Sequence, residues 1–342
     1  MKNSARLAAA VIGSLVIIAA AASHGSSGIG IGDTVRILGH KCFGLGLPHD
    51  IDPKTVSIVW LLRLPRVLLA FIAGGSLAAS GAVTQSVLRN PLASPYILGV
   101  SSGASLGAGL IIISGISLPL AGAFTLPLAG FAFGLATVFA VIAFSALLDK
   151  SMSNNTVILC GMIFSLFVGA VLTTLSAVFS DALKRITLWQ MGSFAMRGWL
   201  YVKLILPFFV LGFAGVMCYT REMDMLTFGE EQAKSAGVAT EAVRKKLLAF
   251  AVVLSGAAVA LSGVIGFVDL IAPHAARKII GSRHRYAVPM AFLLGGSLMA
   301  VTDLIARTVI SPSELPVGAI TALIGAPFFV WVYFRRRKAQ AG

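Results

Sequence analysis

The fold class that this sequence predicts is an all-α polytopic membrane protein with about ten transmembrane helices. Three observations predict it. Of 342 residues, 57% are hydrophobic and only 12% are charged, against about 25% charged in soluble domains. The mean hydropathy is +0.92. The apolar residues also fall in runs of about 20, the length a helix needs to cross the hydrocarbon of a bilayer. A soluble core of this size has no use for so much apolar sequence.

On that ruler the crossings lie at residues 7–23, 60–86, 91–113, 118–148, 156–180, 199–220, 244–263, 264–281, 287–306 and 316–334. The first resembles a secretory signal, with a basic start and small residues before His24. Since the rest of the chain inserts in any case, it is read as a retained helix. The fourth is long and holds Pro119 and Pro127, so it kinks or begins outside the hydrocarbon. The eighth is short and interrupted by Pro273, His274 and Arg277. Placing both termini in the cytoplasm puts most of the 27 lysines and arginines on the inner side, as the positive-inside rule requires. Three polar segments remain. Residues 24–59 form a Gly-rich outer connection, residues 181–198 read as a short amphipathic helix on the outer surface, and residues 221–246 form the one large inner loop. Residues 1–342 make a single membrane domain.

The net charge of +14 would suggest nucleic acid in a soluble protein. Here it sits in short loops, without the interleaved aromatics of a nucleic-acid surface, and is topological. The three cysteines and five histidines form no disulfide framework or ligand cluster, so no metal site and no catalytic residue is assigned. No G-x-x-x-x-G-K-[ST] or H-E-x-x-H occurs. Energised work by this chain therefore draws on an ion gradient or on a partner. Asp269 and Asp303 are the plausible intramembrane carboxylates for ion coupling. Their bland roles are helix capping or pairing, for Asp303 with Arg307 four residues on.

The stretch NPLASPYILGVSSGASLGAG, residues 90–109, is apolar enough for a bilayer yet rich in breakers and hydroxyls. Pro91 and Pro95 end one helix and begin the next. Gly103 and Gly107 form a small-x-x-x-small ridge for close helix approach. Ser101, Ser102 and Ser105 either bond to backbone carbonyls or line a wet pathway.

Four stretches in order, RLPRVLLAFIAGGSLAASGAVTQSVLRNPLASPYILGVSSGASLGAG, GEEQAKSAGV, SGVIGFVDLIAPHAARKIIGSRHR and ELPVGAITALIGAP, resemble the FecCD family of ABC importer permeases. That family carries iron–siderophore complexes, haem, cobalamin and, in some members, molybdate. The resemblance implies a ten-span subunit of the cytoplasmic membrane of a prokaryote, acting as a homodimer. It also implies two cytoplasmic ATPase subunits that bind ATP and Mg, and an extracytoplasmic binding protein. No cofactor is implied in this chain. Arg63, Arg66 and Arg307 match arginines that dock acidic groups of the binding protein, a task suited to guanidinium; the alternative is anchoring of helix ends. The loop with Gly229, Glu230, Glu231, Gln232, Ala233, Ser235 and Gly237 matches the coupling helix that enters the ATPase. Asn90, Pro91 and Leu92 match a cytoplasmic gate, whose counterpart by position is Asn154, Asn155 and Thr156. One departure stands out. Where the family carries glycine this chain has Asp269, which could pair with Arg277, cap the helix near Pro273 or sit in the pathway. Two rival readings use the same residues: a gradient-driven transporter on Asp269 or Asp303, and an intramembrane enzyme pairing His274 with Asp269.

Overall fold

The computed structural model describes residues 2–25, 28–46, 51–118, 122–149 and 153–341, with side chains up to residue 330. Pro119, Lys150 and the side chains of the basic tail at 335–338 lie outside the described residues. Fourteen helices follow the chain: α1 (Lys2–Ser23), α2 (Ile31–Phe43), α3 (Pro53–Val87), α4 (Val100–Ser114), α5 (Thr125–Leu148), α6 (Asn154–Val178), α7 (Ser180–Gln190), α8 (Trp199–Cys218), α9 (Thr220–Thr227), α10 (Glu230–Ser235), α11 (Thr240–Ser262), α12 (Val268–Ile280), α13 (His284–Thr308) and α14 (Val317–Ala341). Among the described residues no strand occurs. Seven helices, α1, α3, α5, α6, α8, α11 and α13, are long and apolar enough to cross a membrane. Two shorter apolar helices, Val100–Ser114 and Val317–Val330, accompany them. The protein is thus an all-helical, polytopic membrane protein.

Two expected crossings are not single helices. Residues 91–113 divide, because Pro91, Pro95 and Gly99 prevent a continuous start; a short 3-10 turn at Pro95–Leu98 precedes α4, which begins only at Val100. Residues 264–281 contain a 13-residue helix, α12, reached through non-helical backbone. Gly263 (φ +80°) and Phe267 (φ +70°) are the left-handed positions that stop α11 and restart the chain as α12. Such backbone is tolerated at membrane depth only when protein covers it. Here Ser193 N–H donates to Ser262 O at 2.8 Å, and Tyr96 O–H donates to Ile265 O at 2.8 Å. The outer connection also holds more helix than its glycines suggested, namely α2. Pro127 falls in the first turn of α5, where proline is welcome, so it begins the helix without kinking it.

The core forms around α3. Beyond Leu64 this helix is buried on nearly all sides, against α8, α11, α12 and α13. Close approach rests on missing side chains. A Cβ on Gly74 would lie 2.3 Å from Met299 Cβ, and one on Gly81 only 1.9 Å from Asp269 O. Its start contains a π-helical turn, Ile58–Arg63, of the kind often found at functional sites.

Candidate translocation pathway, gate and partner-facing surfaces

The small-residue helix α4 has two working faces. On one, a Cβ at Gly103 would lie 2.3 Å from Thr137 Oγ1 and one at Gly107 2.5 Å from Ala129 O, so α4 lies directly on α5. On the other, Ser101, Ser102 and Ser105 border one cavity of about 440 Å³. Its remaining walls come from α6 (Gly169, Leu172, Thr173, Ser176), α7 (Leu183, Ile186, Thr187, Gln190) and Val264. Packing and cavity lining, left open by sequence, therefore both occur, on different faces of the helix. Thr173, Ser176, Thr187 and Gln190 escaped sequence reasoning. Their signal was available: polar residues at helical spacing in otherwise apolar runs, Gly169–Thr173–Ser176 on α6 and Leu183–Thr187–Gln190 on α7.

Just before the start of α4, at the same end as those serines, the two gate candidates meet. Asn90 holds its own turn: Leu92 N–H donates to Asn90 Oδ1 at 2.9 Å, an Asx turn. Arg89 takes φ +49° beside it. Asn154 Nδ2 donates to Leu88 O at 2.9 Å, so the start of α6 is fastened to the end of α3. Thr156 and Ser153 are gathered by Asp149, whose Oδ2 accepts from Thr156 Oγ1 at 3.1 Å and from Ser153 N at 2.9 Å. Pro91, Leu92 and Asn155 are exposed. Behind the turn, Ser94 O–H donates to Asp269 Oδ2. Of the three roles weighed for Asp269, the structure shows a fourth. It ties the turn after Asn90 to the first turn of α12 while buried at 1% exposure.

On the loop between α8 and α11, Gly229 takes φ +127° to open α10. Glu230 faces the membrane domain, 3.1 Å from Arg244 on α11 and 3.1 Å from Lys234. The hydrogen bond to Lys234 leads, with Arg244 assisting, in holding its carboxyl below the ordinary glutamate value. Ala233 is buried beneath the helix, whereas Glu231, Gln232 and Ser235 point out and are exposed. Gly237 (φ +83°) closes the turn. Next to it, Asp224 Oδ1 accepts from His284 N at 2.9 Å and lies 2.6 Å from His284 Nδ1, joining α9 to α13.

At the other end of the bundle the three arginines are engaged within the chain. Arg66 Nη2 meets Asp303 Oδ1 at 2.8 Å and Arg66 Nη1 meets Glu314 Oε1 at 2.7 Å. Arg307 Nε lies 3.6 Å from Asp303 Oδ2, and its Nη2 donates to Ala21 O. Arg63 donates to Ser23 O. Asp303 is fully buried among these cations. All three arginines thus bond within the chain, with Arg66 retaining 12% side-chain exposure. Glu314, which sequence did not single out, is the second carboxylate of the clamp. Arg66 holds it below the ordinary glutamate value.

The geometry thus provides a hydroxyl-lined cavity, a fastened turn and a short helix held on one side and exposed on the other. The profile of the FecCD transport family matches residues 13–335. The chain belongs to the FecCD transport family. Among curated relatives it is 44% identical to an uncharacterized ABC transporter permease protein, YvrB, of Bacillus subtilis (strain 168), over 92% of this chain and 89% of that one. It is 38% identical to the hemin transport system permease protein HmuU of Yersinia pestis, covering 83% and 85%. It is 40% identical to the cobalamin import system permease protein BtuC of Halobacterium salinarum, covering 84% and 76%. A solved structure, an inward-facing conformation of a metal-chelate type ABC transporter, superposes with a TM-score of 0.84 at 30% identity, covering 97% of this chain and 99% of that one. This FecCD chain is thus an ABC-type permease, a transporter membrane subunit.

Proposed function

We propose that this FecCD chain is the membrane subunit of an ATP-driven importer in the cytoplasmic membrane of a prokaryote. Its cargo is an iron chelate, haem or a corrinoid. Ten crossings leave both termini inside: the seven long helices, the two shorter apolar ones, and α12 with the buried backbone before it. Two copies form the passage. Two ATPase subunits, which bind ATP and Mg, grip the exposed Glu231, Gln232 and Ser235 of α10. An extracytoplasmic binding protein delivers cargo to the outer face, where Arg66 is the most accessible of the three arginines.

The observation that carries this reading is α10. Its inner face is pinned by Glu230 to Arg244 and its outer face is left open, in a chain matched by the family from residue 13 to 335. Rotation of α10 by a partner reaches α11 directly, and α11 packs on α3, whose far end carries the Asn90 turn. ATP binding in the partner then opens one end of the passage as the other closes, an equilibrium biased by differential contacts. The clamp around Asp303 argues against a proton relay there, because two guanidiniums neutralise it.

The test is uptake into proteoliposomes. The permease co-expressed with its ATPase should accumulate chelate only with ATP and binding protein present. Uphill uptake by the isolated permease on an ion gradient alone would overturn the proposal.

A further inference from the structure

The cavity beside α4 is polar without being charged, and its polarity has a sign. A hydroxyl has one proton to give and two lone pairs with which to accept. Ser102 gives its proton to Gly99 O at 3.1 Å and Thr173 to Gly169 O at 2.9 Å. Ser176 gives its proton to Leu172 O at 2.8 Å and Thr187 to Leu183 O at 2.9 Å. Four hydroxyls from three helices are thereby spent as donors on their own backbones. What they turn to the cavity is lone pairs. Only Ser101, Ser105 and the Gln190 amide retain protons to offer. Among the described residues no ionised side chain lines the space. Of the nearest cations in sequence, Arg185 is occupied by Ile112 O at 3.2 Å, and Lys184 flanks the wall without lining it.

We infer that the cargo is an electrically neutral metal chelate whose rim presents N–H donors, and that Ser102, Thr173, Ser176 and Thr187 select it against chelates bearing carboxylates. This deepens the importer reading and rests on it. An anion in this cavity meets lone pairs with no lining cation to compensate, which is unfavourable. A carboxamide or peptide rim meets complementary acceptors instead. Discrimination by pairing polar groups is steep because the wrong ligand leaves them unpaired. The cavity also borders the most exposed apolar stretch of α6, with Leu166 75% and Phe167 66% exposed. A second copy seated on that face would add an identical wall, doubling the acceptor surface around one cargo.

The experiment uses the complete transporter, with permease, ATPase and binding protein in proteoliposomes, and four probes. Cyanocobalamin, rimmed with carboxamides, and ferrichrome, a peptide hydroxamate, are neutral overall; ferric dicitrate and haemin carry free carboxylates. One of the neutral probes should enter about tenfold faster than either carboxylate probe. Thr173→Val and Thr187→Val, which keep shape and remove acceptors, should each slow that probe several-fold while ATP hydrolysis persists. Gln190→Lys should shift the ratio toward ferric dicitrate. A carboxylate probe entering as fast as or faster than both neutral ones, or unchanged uptake in both valine variants, overturns the inference and leaves the importer reading standing. ATP-independent uptake, or uptake of no probe, overturns the importer reading and the inference with it.

Discussion

Arg66 shows what a single residue contributes. It satisfies a fully buried carboxylate, Asp303, and a partly exposed one, Glu314, at once. Breaking a buried ion pair from one side costs about 3–5 kcal/mol, because the remaining charge is stranded. Arg66→Ala is therefore expected to lower the thermal unfolding midpoint of the detergent-solubilised protein sharply. Arg66→Ala with Asp303→Asn should recover part of the loss, and equal midpoints for the single and double variants would refute this account. The clamp is also pH-dependent. Glu314 titrates below its ordinary value of 4.5 because Arg66 bonds to its charged form. Its contribution is complete above that ordinary value and fades as pH falls through the lower folded one. Unfolding midpoints should accordingly decline in acid, and Glu314→Gln should flatten that part of the decline. Asp269 is the other residue of this kind. Asp269→Asn keeps an acceptor for Ser94 and is expected to retain uptake, whereas Asp269→Ala and Ser94→Ala should both weaken the hold on the turn after Asn90. That loosening would be read as faster labelling of a cysteine placed at the exposed Leu92.

At the scale of helices, α4 and α5 approach as closely as they do because two positions lack a side chain. Gly107→Ala would set a methyl 2.5 Å from Ala129 O, so the helices must separate. Overpacking of this kind costs about 1–3 kcal/mol, measurable as a lowered midpoint in detergent, and an unchanged midpoint would show that the contact is soft. On α10, Glu231→Lys should leave the fold intact, since the side chain is exposed, yet reduce uptake several-fold while the partner's ATP hydrolysis continues. Much of this scale was legible from sequence. Run length located the long helices, and proline and glycine spacing located the Asn90 turn, because both signals are local. The division at Gly263–Phe267 was not legible. The stretch is as apolar as a helix, and only the surrounding bundle, with Tyr96 and Ser193 nearby to bond its backbone, makes an extended path affordable. The roles of the arginines were half legible. Residue type and position marked them as important, but their partners stand 237 and 248 positions away in the chain for Arg66, beyond any local pattern.

For the whole molecule, the exposed apolar stretch on α6 has a consequence if two copies pair there. Cysteines placed at Leu166 in membrane vesicles should cross-link between copies, and those at Leu206 on α8 should not. The reverse pattern would move the dimer axis elsewhere. Fold class needed only composition and run length, since a bilayer imposes the same demand on every crossing. The cavity needed coordinates, because its walls combine residues 101–105, 169–176 and 183–190, which lie far apart in the chain.

The arginine clamp also constrains how the protein is made. Arg66 emerges from the ribosome long before Asp303 and Glu314 exist to receive it, so through most of translation α3 offers an unsatisfied cation to lipid or to the insertion machinery. Only when α13 inserts does the clamp close. A ribosome-stalled chain ending before residue 303 should then be held by the translocon or cleared by membrane proteases, while one reaching past residue 314 should be released.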